Sequence, residues 1–474
     1  MKKYLLSLLM VAMFGINSFA QMAMPTPMDP NVRYGKLDNG LTYYIRHNEK
    51  PDNRADFYIA QKVGSVLEEE NQRGLAHFLE HMAFNGTTNL PGMTLRNYLQ
   101  SRGVKFGENL NAYTAIDQTV YMVTNVQTDL PGLVDTCLLI LHDWSSFIAL
   151  EDAEIDNERG VILEEERTTG GANRRVMEQL LPKMYPGSPY GERLPIGTKE
   201  VIANFKYDEL RDYYKKWYRP DLQGLIIVGD IYVDAIEARI KEMFTDIPAP
   251  VNPATRTQFM IEDNEEPIIA IATDPELTSY QISMYHKQDA TPDSVKGDIS
   301  YWLSEYLINL VTDMQNNRLQ ELTQKPNSPF IYGYSYYGDY YVSPTKEAWT
   351  NIVVPKDLAG IEEAITAIVA ETKRMQQYGF TASEYERAKA DFLKYIESAY
   401  NERNNTENEK HVDACLNHFL SNEPMMDIET EYQLYQQFIP NLPLEAINAM
   451  LPEIIPANNL VMTLMAPEKE GEVL

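Results

Sequence analysis

Apolar residues at positions 75, 78, 79, 82 and 84 recur at three-and-four spacing, the period of a helix with one buried face. Residues 151–167 predict a second amphipathic helix, with Glu151, Ile155, Glu158, Ile162 and Glu165 on one stripe. Residues 111–121 alternate closely enough to form a strand, and short apolar runs at 267–272, 280–285 and 460–465 read the same way. Long helices are expected over 298–323, 358–378 and 383–420. The last opens on Ser383 with Glu386 three residues on, a capping box. Residues 401–410 are polar throughout and predict an exposed helix break.

The proline-rich stretch 247–253 reads as a linker between a block of about 30–250 and a second of about 260–474. Strands come first and long helices after, in each block. That order predicts an α+β fold of two similar domains, each an antiparallel sheet packed with helices. The internal repeat is faint, and no low-complexity tract interrupts it.

The first twenty residues have the form of a secretory signal peptide: Lys2 and Lys3, an apolar stretch at 4–14, then Ser18-Phe19-Ala20 before Gln21. The apolar stretch is too brief to span a bilayer, and no other segment approaches spanning length. Export to a bacterial periplasm is expected, with no membrane insertion after the signal is removed. Cys137 and Cys415, the two cysteines, lie far apart in sequence and are expected to be buried thiols. The net charge is −28, and loss of Lys2 and Lys3 makes it −30. So acidic a chain excludes a nucleic-acid partner.

Candidate chemistry begins at His77-Phe-Leu-Glu80-His81. Residues 77 and 81 are i and i+4, so both imidazoles leave one helical face and can bind one ion. Glu80 lies beside them, near enough to act on a water held by that ion. Such a site needs a third ligand, and a carboxylate facing the protein interior needs a cation. The 151–167 stripe offers Glu151, Glu158 and Glu165, and composition alone does not choose among them.

On these residues the chain resembles the inverzincin zinc metallopeptidases, the family of pitrilysin, insulin-degrading enzyme and mitochondrial processing peptidase. The resemblance extends to Tyr34-Gly-Lys-Leu-Asp-Asn-Gly-Leu-Thr42 and Gly64-Ser-Val-Leu-Glu68, which look like the family's first two strands. It continues through residues 111–121 and through residues 217–230, a helix-to-strand connection. It implies a half-clam-shell fold and one Zn²⁺ per chain, held by His77, His81 and Glu158. Glu158 is implied because it follows His81 by 77 residues, and Glu151, seven residues earlier, would support the site.

Glu80 would be the general base of a zinc-dependent endopeptidase acting on peptides or unfolded polypeptides. Asn111 and Ala112, on an edge strand, would contact the peptide substrate. Family members complete the site with an Arg and, seven residues on, a Tyr from the other half of the molecule. The corresponding stretch here, 318–334, pairs Lys325 with Tyr332 and has no Arg at that offset. Lys lacks the planar two-pronged donor. The chain thus resembles a zinc-bearing half whose Arg and Tyr come from a second half or subunit. Alone, it is expected to bind zinc but to cleave peptides weakly. The alternative reading is a non-catalytic peptide-binding or scaffold subunit of a peptidase complex.

Overall fold

Two mixed sheets, each faced by helices, organise residues 24–469, the part of the chain described by the computed structural model. The expected signal peptide, residues 1–20, lies outside the described residues. The first sheet joins β1 (Val32–Lys36), β2 (Thr42–His47), β3 (Arg54–Gln61), β4 (Leu110–Thr114), β5 (Thr119–Gln127) and β6 (Gln223–Gly229) in the order β1-β2-β6-β3-β5-β4. The second joins β7 (Ile268–Asp274), β8 (Gln281–Asp289), β9 (Tyr332–Tyr340), β10 (Ser343–Val354) and β11 (Leu460–Pro467) in the order β7-β11-β8-β10-β9. With β1 set aside, the two orders correspond strand for strand. This is the repeat that is faint in the sequence.

Pairing is antiparallel except at one matching place in each sheet, where β2 meets β6 and β7 meets β11 in parallel. In both cases the last strand of the block inserts between two early ones, β6 between β2 and β3 and β11 between β7 and β8, after a long helical excursion of the kind a parallel connection requires. β6 is buried along its whole length, which its Leu225-Ile-Ile-Val228 core suits.

Several local expectations shift. The segment at Gly64–Glu68 is not a strand but a 3₁₀ turn, Ser65–Leu67. Residues 111–121 divide into β4 and β5 around a tight turn. The 383–420 helix is two helices, Ala382–Asn401 and Asn408–Ser421, parted within the polar stretch. Its capping box is Thr381 with Glu384, two residues before the expected pair.

The blocks exchange helices. One face of the first sheet packs on the helix Leu133–Ser146 and the helix Leu75–Met82. The other face, with Tyr44, Tyr58, Ile226 and Val228, is covered by Val412, Cys415, Leu416 and Phe419 of Asn408–Ser421. In return, the helix Ala172–Met184 lies along β7, where Lys183 Nζ donates to the Ile271 carbonyl (2.7 Å) and Gln179 Nε2 to that of Thr273 (3.0 Å). Arg175 clasps Asp274 with two hydrogen bonds of 2.6 and 2.7 Å. These side chains occupy the outer edge of β7 that would otherwise invite another strand. Cys137 and Cys415 are both free and buried, in separate cores.

Candidate metal centre

The helix Leu75–Met82 is only eight residues long. Leu75, Phe78, Leu79 and Met82 sink into the first core, which turns His77, Glu80 and His81 towards the opposite side. The two imidazole rings stand 4.7 Å apart, nearly perpendicular. Facing them is the helix Asp152–Thr169, anchored through Ile155 and Ile162, both fully buried.

Glu165 on that helix approaches both imidazoles from the Nε2 side. Its carboxylate oxygens lie 3.7 Å from His77 Nε2 and 3.3 Å from His81 Nε2. One ligand atom from each of His77, His81 and Glu165 lies within 4.8 Å of the others, so the three could enclose a single ion. Two imidazole nitrogens and one carboxylate oxygen form a donor set that suits Zn²⁺ and leaves a position for water.

Glu158, one turn-pair earlier, is on the far side of His81. Its Oε1 is 2.7 Å from His81 Nδ1, and its other oxygen accepts from the Asn85 amide. Glu151 stands at the N-cap of the helix, exposed and without a side-chain capping bond. The geometry therefore departs from the 77-residue spacing by one step of seven. Glu165 occupies the place expected of Glu158, and Glu158 the place expected of Glu151. The sequence held a signal for this, since the seven-residue Glu pair occurs twice on the stripe. Asn85 had no sequence signal at all.

Electrostatics fit the same arrangement. Burial, with the neighbouring His81, pushes His77 down to about 3, which keeps its imidazole neutral as a metal ligand must be. Burial alone would lower His81, but the Glu158 hydrogen bond and the surrounding carboxylates raise it. Burial also raises Glu80, against the hydrogen bond that Thr114 Oγ1 donates to its Oε2. Thr114 belongs to β4, so that bond ties the glutamate to the edge of the first sheet.

β4 pairs with β5 on one side and with no other described strand. Asn111 is exposed on it, its Oδ1 accepting from the Ala112 N–H at 3.0 Å, and Ala112 is half-buried. In the second block, Lys325 and Tyr332 are exposed. Tyr332, Tyr334 and Tyr336 form an aromatic row on β9, with ring centres 5.3 and 6.1 Å apart. Arg318 is buried in a two-pronged pair with Glu384.

At the N-terminal end of the Leu75–Met82 helix, the buried Glu68 carboxylate accepts from the backbone N–H of Gly74 (2.9 Å) and of Ala76 (2.8 Å). Burial pushes Glu68 up to about 8, with those two N–H groups and Arg193 pulling against it.

A pair of helix-faced sheets with a His-x-x-Glu-His helix opposed by a glutamate helix defines a class, and the sequence comparisons agree. Residues 44–195 match the insulinase family, peptidase family M16, and residues 204–392 match the peptidase M16 inactive domain, so the chain belongs to peptidase family M16. It is 30% identical to a "Zinc protease PQQL-like" of Arabidopsis thaliana over 93% of its own length, and 29% identical to the "Probable zinc protease PqqL" of Escherichia coli over 90%. It spans 42% and 45% of those two relatives, about half their length. The crystal structure of the first half of the periplasmic protease PqqL from Escherichia coli superposes with a TM-score of 0.84 at 26% identity, covering 94% of each chain.

Proposed function

We propose that this chain is the metal-bearing half of a zinc endopeptidase that cuts peptides or unfolded polypeptides. The observation that carries the reading is the convergence of one ligand atom each from His77, His81 and Glu165 within 4.8 Å, with Glu80 on the same helix. In this reading His77, His81 and Glu165 hold the ion. When bound, zinc acidifies a water and polarises the scissile carbonyl. Glu158 accepts the Nδ1 proton of His81, which fixes the tautomer and leaves Nε2 free to ligate, and Asn85 steadies Glu158 in turn.

Glu80 takes the proton of the attacking water and later delivers it to the leaving amine. Thr114 engages one of its oxygens and leaves the other for that work. The free edge of β4 receives the substrate as an added strand in contact with Asn111 and Ala112, and pairing along that edge gives affinity with little sequence preference. A second half or subunit completes the site, since no arginine stands seven residues before Tyr332. Residues 1–20 direct export, and the periplasm is the compartment in which the assembly works. Among the described residues no helix is long and apolar enough to cross a membrane.

One observation favours a second reading, a peptide-binding subunit without activity: residues 204–392 match a domain described as inactive. Glu80→Gln separates the two. Zinc should stay bound while hydrolysis by the complete assembly collapses; undiminished hydrolysis would remove Glu80 as the base.

A further inference from the structure

The helix that carries His77, Glu80 and His81 has two turns and no cap of its own. Isolated helices of that length are marginal in water, and four N–H groups at their start need acceptors. The N-cap position is Gly74, in the left-handed conformation at φ +103° and with no side chain to offer. The missing acceptor comes from outside. Glu68, which retains only 5% of its exposure, aims one carboxylate oxygen at the N–H of Gly74 and the other at the N–H of Ala76, the residue next to His77.

The segment bearing Glu68 is itself fixed to the edge of the first sheet. The Ser65 and Val66 N–H groups donate to the Ala115 and Ile116 carbonyls, in the turn that follows β4. Arg193 Nε donates to the Glu68 carbonyl at 3.2 Å, its Nη2 meets Glu70 at 2.7 Å, and its own carbonyl accepts from Ser65 Oγ at 2.6 Å. Glu68 is therefore the bridge between the β4–β5 turn and the start of the His-bearing helix.

We infer that Glu68 is a positioning residue of the metal centre: by receiving the first N–H groups of the helix, its carboxylate sets where His77 and His81 stand relative to Glu165 and β4. The inference rests on the reading that His77 and His81 hold a metal. It goes beyond fold stability, because a carboxylate placed merely to stabilise the domain would not govern affinity for the ion.

The test compares Glu68→Gln with Glu384→Gln, a control that removes a helix-capping carboxylate in the other half of the chain. Zinc affinity is measured by competition with a chelator, and thermal unfolding of the metal-free protein is followed alongside. Both variants should unfold at lower temperature than the parent, but only Glu68→Gln should lose zinc affinity, by roughly tenfold or more, the scale on which outer supports of metal ligands act. Glu68→Asp, which keeps the carboxyl group one methylene short, should fall between, and it carries the measurement if Glu68→Gln does not fold.

Parent-like zinc affinity in the Glu68 variants, or an equal loss in Glu384→Gln, overturns the inference and leaves the metal reading intact. A parent protein that binds no zinc overturns both.

Discussion

At the scale of single residues, the centre depends on which face of His81 each glutamate meets. Glu165 shares the Nε2 side with His77, and Glu158 takes Nδ1. Substitution should grade accordingly. Glu165→Gln should all but abolish zinc binding, because it removes one of the three proposed ligands. Glu158→Gln should weaken it by roughly 10–100-fold, as loss of an orienting carboxylate does. Glu151→Gln should leave it unchanged, since that side chain is in solvent. Isothermal titration with Zn²⁺ reads all three, and an order with Glu158 ahead of Glu165 would reverse the assignment. Glu80→Gln should bind zinc normally and lose about 10²–10⁴-fold in hydrolysis, the usual contribution of a general base.

At the scale of elements, short helices are held by groups from other parts of the chain. Gly197 shows how tightly the entry to the His-bearing helix is gripped. It has φ +70°, and a Cβ there would lie 2.3 Å from the Arg73 carbonyl oxygen and from Gly74 Cα. Gly197→Ala should cost about 1–3 kcal/mol in chemical denaturation, as left-handed strain and a backbone clash combine. In the second half, Arg318 joins the long helix Ile299–Thr323 to the start of Ala382–Asn401 through Glu384.

Burial alone would raise Glu384, but the Arg318 hydrogen bond and the Thr381 donors outweigh it and hold the carboxyl at about 2. A depressed acid contributes fully above its unfolded value near 4.5, and its contribution is lost as pH falls towards 2. Stability should thus decline over that window, and Glu384→Gln should flatten the decline in acid titrations followed by circular dichroism. Arg318→Met should cost about 2 kcal/mol near neutral pH, below the range for a fully enclosed pair because Glu384 stays partly in water.

At the scale of the whole molecule, the two blocks are distinct in sequence yet interlocked. The helix Asn408–Ser421 of the second covers Tyr44, Tyr58, Ile226 and Val228 of the first sheet. A fragment ending at residue 250 would present that face to water, and exposed apolar patches of this kind drive association. Size-exclusion chromatography should find it aggregated, whereas the full chain runs as a defined species. The full chain spans about half the length of its relatives. It should bind close to one zinc per chain by elemental analysis while cleaving peptides slowly. Fast, unaided peptide turnover would remove the need for a second half.

Much of this was legible in the residues. The His-x-x-Glu-His pattern, the facing acidic helix, the strand runs and the break near 402 all follow from periods of 3.6 and 2 and from polar composition. The choice among Glu151, Glu158 and Glu165 did not. Seven residues make almost two full turns, so all three project from one face and are equivalent to any reading of the period. They differ only in depth, by about 10 Å per step along the helix axis, and the docking of that helix against the His-bearing one decides which reaches the imidazoles. The helix exchange was hidden for the same reason: the sequence determines which faces must be covered, but only the folded chain determines what covers them.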